Sequence, residues 1–206
     1  WAGIDPIMAT AELIESLNTI VSRRINIINN PAVISVGIVK AGTRNNIIPE
    51  DAEIMGTIRT FDPELRKEIY SEIEQVAKGV ALGTGTDITV EFDVGGFYPV
   101  TFNQPDLVEA MKGSLIKASP GRFYESNIPV TGAEDFSYFS QEIPGMYFWL
   151  GINKPGEGEE SSNFGERTDV AGNHSPYFYV DDSALDEGVR AFIHLVNDYP
   201  NKINSL

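Results

Sequence analysis

Two Asp-Pro dipeptides, Asp5-Pro6 and Asp62-Pro63, each open a run of helical spacing, and two β-branched runs lie between them. That order constrains the fold more than any other feature. An Asp carboxylate accepts from the free amides of a first helical turn, and Pro has no amide to leave unpaired at the first helical position. After Pro6, apolar residues at Ile7, Ala11, Ile14, Leu17 and Val21 predict a one-faced helix, with Arg23 and Arg24 in its last turn, where cations suit the dipole. After Pro63, Leu65, Ile69, Ile73, Val76 and Val80 predict a second helix, closed by Gly83-Thr84-Gly85. Between them, residues 32–40 (AVISVGIVK) and 53–61 (EIMGTIRTF) read as strands joined by a long connection. Ile88, Val90, Phe92 and Val94 then alternate with Thr89, Glu91 and Asp93, as in a half-buried strand.

Helix, strand, strand, helix, strand is a split β-α-β-β-α-β unit without its first strand. The ferredoxin-like arrangement places that strand inside the sheet. Residues 86–96 should therefore either pair directly with 53–61 in a rearranged sheet or sit unpaired across a gap. A chain beginning at Trp1 is expected to be part of a longer protein.

After Pro99 the character changes. Residues 103–118 read as a helix with Leu107, Met111 and Leu115 on one face. Residues 132–137 (GAEDFS) start another helical turn, and 145–151 (GMYFWLG) read as a strand buried on both faces. A last helix should turn Leu185, Val189, Phe192, Ile193 and Val196 inward. Two short strands and two helices cannot close an α/β layer alone, so residues 99–206 look like the end of a domain begun elsewhere. Such a lone apolar segment should leave an apolar face in need of cover.

Charge narrows the partners. Thirty acidic against 15 basic side chains leave a net charge of -15, which repels phosphate backbones and anionic lipid and argues against nucleic-acid or membrane partners. No apolar run approaches the roughly 20 residues of a membrane span. With no cysteine, disulfides and thiolate zinc sites are excluded within this chain, and the compartment stays open.

Four positions could carry chemistry. His174, one of two histidines, ends a polar stretch at 153–172 and precedes Ser175-Pro176. It could be a metal ligand, a general base or a packed loop residue. Glu134, beside Asp135, could cap a helix, support a metal ligand or contact substrate. Asn46 in the turn and Arg59 on the second strand could be surface residues or a carboxylate clamp, since a guanidinium fork matches a carboxylate. His194 falls off the apolar stripe of its helix and reads as solvated, as does the acidic run at 157–160. Two histidines and no cysteine cannot furnish a hydrolytic metal site unaided. There is no GxSxG elbow, P-loop or GxGxxG.

Six ordered motifs resemble one family: residues 3–7 (GIDPI), 20–23 (IVSR), 46–49 (NIIP), 56–61 (GTIRTF), 132–137 (GAEDFS) and His174-Ser175-Pro176. It is the metal-dependent N-acyl-amino-acid amidohydrolases, in their hippurate hydrolase and auxin-conjugate hydrolase branch, related to the aminoacylases and zinc carboxypeptidases. The resemblance implies an α/β zinc-peptidase-like catalytic domain interrupted by an α+β, ferredoxin-like lid and dimerisation domain. Residues 1–98 would be the lid, lacking its first strand, and 99–206 the C-terminal part of the catalytic domain. It implies two divalent ions (Zn, or else Mn, Co or Ni), an N-acyl or N-aroyl amino acid substrate and a homodimer through the lid; a cytoplasmic location is expected besides. His174 matches the last metal ligand, and Asn46 and Arg59 match lid residues that contact substrate. Glu134 is assigned to substrate binding and Asp135 has no derived role. The general-base Glu and the other ligands would lie upstream of Trp1, leaving this chain without catalytic residues or activity of its own. The competing readings are a non-catalytic dimerisation or ligand-binding module, and a related dipeptidase or deacetylase.

Overall fold

The computed structural model describes residues 1–126, 128–152 and 171–203. The chain divides into two compact units, Trp1–Val100 with Thr131–Ala133, and Thr101–Val130 with Glu134–Leu206.

In the first unit both Asp-Pro starts act as their chemistry requires. Asp5 caps α1 (Pro6–Thr19), its carboxylate accepting from the Ile7 and Met8 amides at 2.9 and 3.4 Å. Asp62 caps α2 (Pro63–Thr84) through the Glu64 and Leu65 amides at 2.8 and 3.4 Å. Gly85, at φ 73°, closes α2 in the left-handed conformation that glycine adopts without penalty. The buried stripe of α2 is Leu65, Ile69, Val76, Ala77 and Val80, with Ile73 packed beside it.

The expected stripe of α1 is corrected. Its buried residues are Ala9, Leu13 and Leu17, with Ile20 just beyond them, whereas Ile7 is 44% exposed and Ala11 is exposed. The two candidate stripes lie roughly a quarter turn apart on one helix. Both are apolar, and the face that meets α2 is the one that is buried. Beyond Thr19 the helix widens into a π-helical turn, Ile20–Arg24, from which the Arg24 guanidinium reaches Glu72 of α2 at 2.7 Å.

Strands β1 (Ala32–Ala41) and β2 (Ala52–Thr60) pair antiparallel, from Ala32 opposite Thr60 to Ala41 opposite Ala52. A bulge falls between Val36 and Ile38. Ile34, Val36, Ile54 and Ile58 pack against the helical core. Val33 and Ser35 share the opposite, exposed face with their partners Arg59 and Thr57. Gly56 lies so close to β1 that an added Cβ would stand 2.2 Å from the Ser35 carbonyl oxygen.

This sheet has two strands. Residues 86–92 keep the expected alternation, even positions half-buried and odd ones exposed. Ile88 and Val90 pack on the core, and Phe92 stacks on Tyr70 with ring centroids 4.0 Å apart. They form no strand ladder among the described residues. Of the two arrangements expected for 86–96, the unpaired one is found and direct pairing with 53–61 is not, and no four-stranded sheet forms among the described residues.

In the second unit α3 (Pro105–Ala118) and α5 (Leu185–Ile203) pack together, with the short α4 (Phe136–Glu142) between them in sequence. Here the expected inward face of α5 is wrong. Leu185, Val189, Phe192, Ile193 and Val196 are all exposed, Phe192 by 63% and Val196 by 70%. The helix instead turns Ala191 and its polar side to α3. Ser114, fully buried, donates to Asp198 at 2.7 Å; Lys202 reaches the Ala110 carbonyl at 2.7 Å, and Arg190 the Ala118 carbonyl at 3.3 Å. The apolar row therefore stays largely open to solvent, although Phe192 meets Phe148. His194, expected to be solvated, is half-buried.

Residues 145–151 are likewise not a strand among the described residues. They run half-buried, apart from exposed Trp149 and Gly151, because the backbone finds only isolated partners. Their side chains alternate all the same. Phe148 meets Phe192 at 5.7 Å and Leu150 lies against Gly188, whereas Tyr147 meets Phe136 at 5.6 Å. No helix among the described residues is long and apolar enough to cross a membrane. The polar stretch from 153 to 170, with its acidic run, lies outside the described residues.

Candidate functional site

The clearest polar construction in the second unit surrounds Glu134. The chain turns into α4 there, with the Ser137 amide and hydroxyl both donating to the Glu134 carbonyl, at 3.2 and 2.6 Å. Ser137 is fully buried, so the main chain at Glu134 is fixed from below. Asp135 stands at the cap position but makes no side-chain cap bond, so the capping role considered for this acidic pair is not the one observed.

Glu134 itself is half-buried. Burial first, then hydrogen bonding toward Glu134, then the negative charges of Glu134 and Asp135 push the Tyr147 phenol up from its usual value. Tyr147 is itself clamped. Its amide donates to Asn103 Oδ1 at 2.6 Å, and Asn103 Nδ2 donates to its carbonyl at 2.8 Å. One residue on from Asn103, the Gln104 amide donates to the Gly145 carbonyl at 3.0 Å. The ring sits between Phe136, at 5.6 Å, and Trp149, edge-on at 5.4 Å. Sequence reasoning took Tyr147 as one more apolar residue of a buried strand. The signal available was its hydroxyl, the one side-chain hydrogen-bonding group in residues 145–148.

His174 also belongs to the second unit. Its ring is exposed, not interred among aliphatic neighbours, and its backbone holds φ at 70°. A non-glycine residue there carries strain of order 1–2 kcal/mol, and such strain gathers at functional sites. The turn is braced around it, with the Ser175 amide bonded to the Gly172 carbonyl at 3.1 Å and the Phe178 amide to the Ser175 carbonyl at 3.1 Å.

In the first unit Asn46 is exposed in the turn between β1 and β2. Arg59 projects from the open face of β2, opposite Val33, and its Nη1 donates to the Thr131 carbonyl at 2.5 Å. Its hydrogen bond ends on this main-chain oxygen, not on Asn46. The two residues stand at the far turn and near the other end of the same strand pair, and the structure does not join them.

The donors present fit a metal only as a partial set. His174 is an accessible imidazole of suitable chemistry, yet among the described residues no three His, Cys, Asp or Glu side chains converge to hold an ion.

Residues 11–198 match the family model for peptidase family M20/M25/M40. The chain belongs to this family. This M20 chain is 34% identical to N-acetyldiaminopimelate deacetylase of Leuconostoc mesenteroides over 92% of its own length and 44% of that protein. It is 35% identical to thermostable carboxypeptidase 2 of Saccharolobus solfataricus over 97% of its own length and 47% of that protein. Among solved structures it resembles Bacillus subtilis YxeP, described as a dinuclear metal-binding peptidase of the M20 family. The TM-score is 0.68 at 29% identity, covering 93% of this chain and 45% of that one. The M20 chain thus spans less than half the length of these relatives. Its mixed helix and strand composition is that of an α/β fragment of the M20 fold.

Proposed function

We propose that the protein to which this chain belongs hydrolyses the amide bond of N-acyl amino acids with the help of divalent metal. The family match over residues 11–198 carries this reading. The deacetylase relative favours an N-acyl substrate over an unmodified peptide. In this reading residues 1–98 act as lid and dimerisation domain, and 99–206 as part of the catalytic domain.

Each candidate residue then has a task it can perform chemically. His174 offers one imidazole nitrogen to a metal whose other ligands come from the rest of the longer protein, along with the general-base Glu. A divalent ion bound there would polarise the scissile carbonyl and activate water. Arg59 supplies a planar guanidinium for the substrate carboxylate, and Asn46 an amide able to donate to a carbonyl oxygen. Glu134 accepts from polar groups of the substrate.

A specific likeness favours a second reading. Thermostable carboxypeptidase 2 is as similar to this chain as the deacetylase is, so a dipeptide or peptide substrate is the competing assignment. The aroyl class typified by hippurate is the narrower form of the first.

Two measurements on the full-length protein decide these points. Metal content and turnover of His174→Ala, set beside His194→Ala, should show loss of bound metal in the first alone. Unchanged metal and turnover in His174→Ala removes His174 from the site. Turnover of N-acetyl and N-benzoyl amino acids, compared with dipeptides, should favour the acylated compounds. A preference for dipeptides overturns the N-acyl assignment.

A further inference from the structure

We infer that residues 92–97 move as part of the first unit's rigid body, clamped by Arg66 and Tyr70 of α2, and that Gly95-Gly96 within them is a closed turn and not a hinge. The use of this clamp rests on the reading of residues 1–98 as a lid, whose movement is then taken up outside residues 92–97.

Two adjacent glycines lie just ahead of Val100, where the chain leaves the first unit. Glycine crosses between negative and positive φ without penalty, so such a pair is where a pivot would be sought. Here the turn is shut. Asp93, Gly95 and Gly96 hold φ at 56°, 85° and 96°, and the Gly96 amide donates to the Asp93 carbonyl at 2.8 Å. A left-handed Asp persists where its surroundings hold it. Asp93 is held by the Tyr70 phenol, which donates to its carboxylate at 2.6 Å.

Both ends of the turn are fastened to one helix. At the near end Tyr70 stacks on Phe92, with ring centroids 4.0 Å apart and 5° between the planes. At the far end the Arg66 guanidinium lies 3.9 Å from the centroid of the Phe97 ring and 5.7 Å from that of Tyr70. Arg66 and Tyr70 stand at i and i+4, neighbours on one face of α2. Contacts therefore run from Phe97 to Arg66 to Tyr70 to Phe92, closing a ring around the two glycines. Arg66 Nε is buried without a hydrogen-bond partner, so at this nitrogen the ring faces stand in place of water. Phe97 is still 37% exposed. Burial alone does not fix it, and the cation fastens the far end.

Hydrogen exchange of the Gly96 amide in the full-length protein reads the clamp directly. Arg66→Gln removes the cation, and Gly96 should then exchange about tenfold faster, the scale of a desolvated cation–π contact. Phe97→Leu should do the same and leaves α2 untouched, so it decides alone if Arg66→Gln loosens the helix. The two changes remove one contact, so the double variant should exchange no faster than the faster single variant. Effects that multiply in the double variant overturn the inference. So does a wild-type Gly96 amide exchanging as fast as in an unstructured peptide, or one indifferent to both changes. A Gly96 rate that shifts when an uncleavable N-acyl amino acid analogue binds would make the turn the hinge, and overturns it too. Failure of the lid reading shows elsewhere: labels on the two units keep one separation when that analogue is added, which removes the use of the clamp without altering the Gly96 rates.

Discussion

Gly56 is the position where one added methyl group should do most damage. The carbonyl of Ser35 lies 2.2 Å from where a Cβ would stand, against a practical limit near 3.0 Å. Relief requires β1 and β2 to part by nearly an ångström at the bulge, and neither atom in conflict is the flexible end of a side chain. Forcing extra volume into close-packed structure costs about 1–3 kcal/mol, and weakening one flanking ladder bond adds about 1 kcal/mol. The expected loss for Gly56→Ala is therefore about 2–4 kcal/mol. Amide hydrogen exchange reads this locally, which suits a chain of two units where a single melting temperature is ill defined. At about 1.4 kcal/mol per decade, β1 and β2 amides that exchange through opening of the pair should exchange about 30- to 700-fold faster. Gly37, the neighbouring glycine at the bulge, has open space where its Cβ would go. Gly37→Ala should change the same amides less than about threefold, within the half kcal/mol usual for unobstructed surface sites. Equal protection in both variants would refute the steric argument.

Three other outcomes follow from single contacts. Gly79, exposed within α2 with open space around its Cβ position, should tolerate Ala with a gain of about 1 kcal/mol from helix propensity, measured as slower exchange of the α2 amides. Tyr70 is pushed up to about 12, by burial first and then by its bond to Asp93. Its folded value lies above its unfolded one, so its contribution is whole below about pH 10 and is lost as pH rises toward 12; Tyr70→Phe should flatten the decline in thermal stability across that window alone. Ser114→Ala takes a fully buried donor from Asp198, whose carboxyl is held below its usual value by Ser114 first and Lys117 second. The change should cost about 1–2 kcal/mol, seen in exchange of α3 and α5 amides.

What could be read from the residues alone was whatever depends on near neighbours. The caps at Asp5 and Asp62 rest on side chains bonding amides two and three positions on, and both form. The stripe of α2 is its one apolar face, so spacing settled which side is buried. α1 offers two apolar faces, and spacing could not choose between the one led by Ile7 and the one led by Ala9. Residues 86–92 alternate as read, yet pairing depends on what lies alongside, which no local pattern states. α5 has the plainest apolar row in the chain and was misplaced for the same reason. The pattern marks a face that wants cover without saying what the helix rests on. At the candidate site, Glu134 and His174 could be picked out as types in suspicious surroundings. The support around Tyr147 could not, because it joins segments whose approach depends on Asn103 and Gly145.

The outward row of α5, from Leu185 to Val196, also has a bearing on handling the molecule. Five large aliphatic and aromatic side chains in contact with solvent make precipitation respond sharply to salt type, because excluded ions such as sulfate raise the tension of water against such a face. Fractionation by sulfate should therefore remove chains with this helix bare at lower concentrations than chains in which it is sheathed.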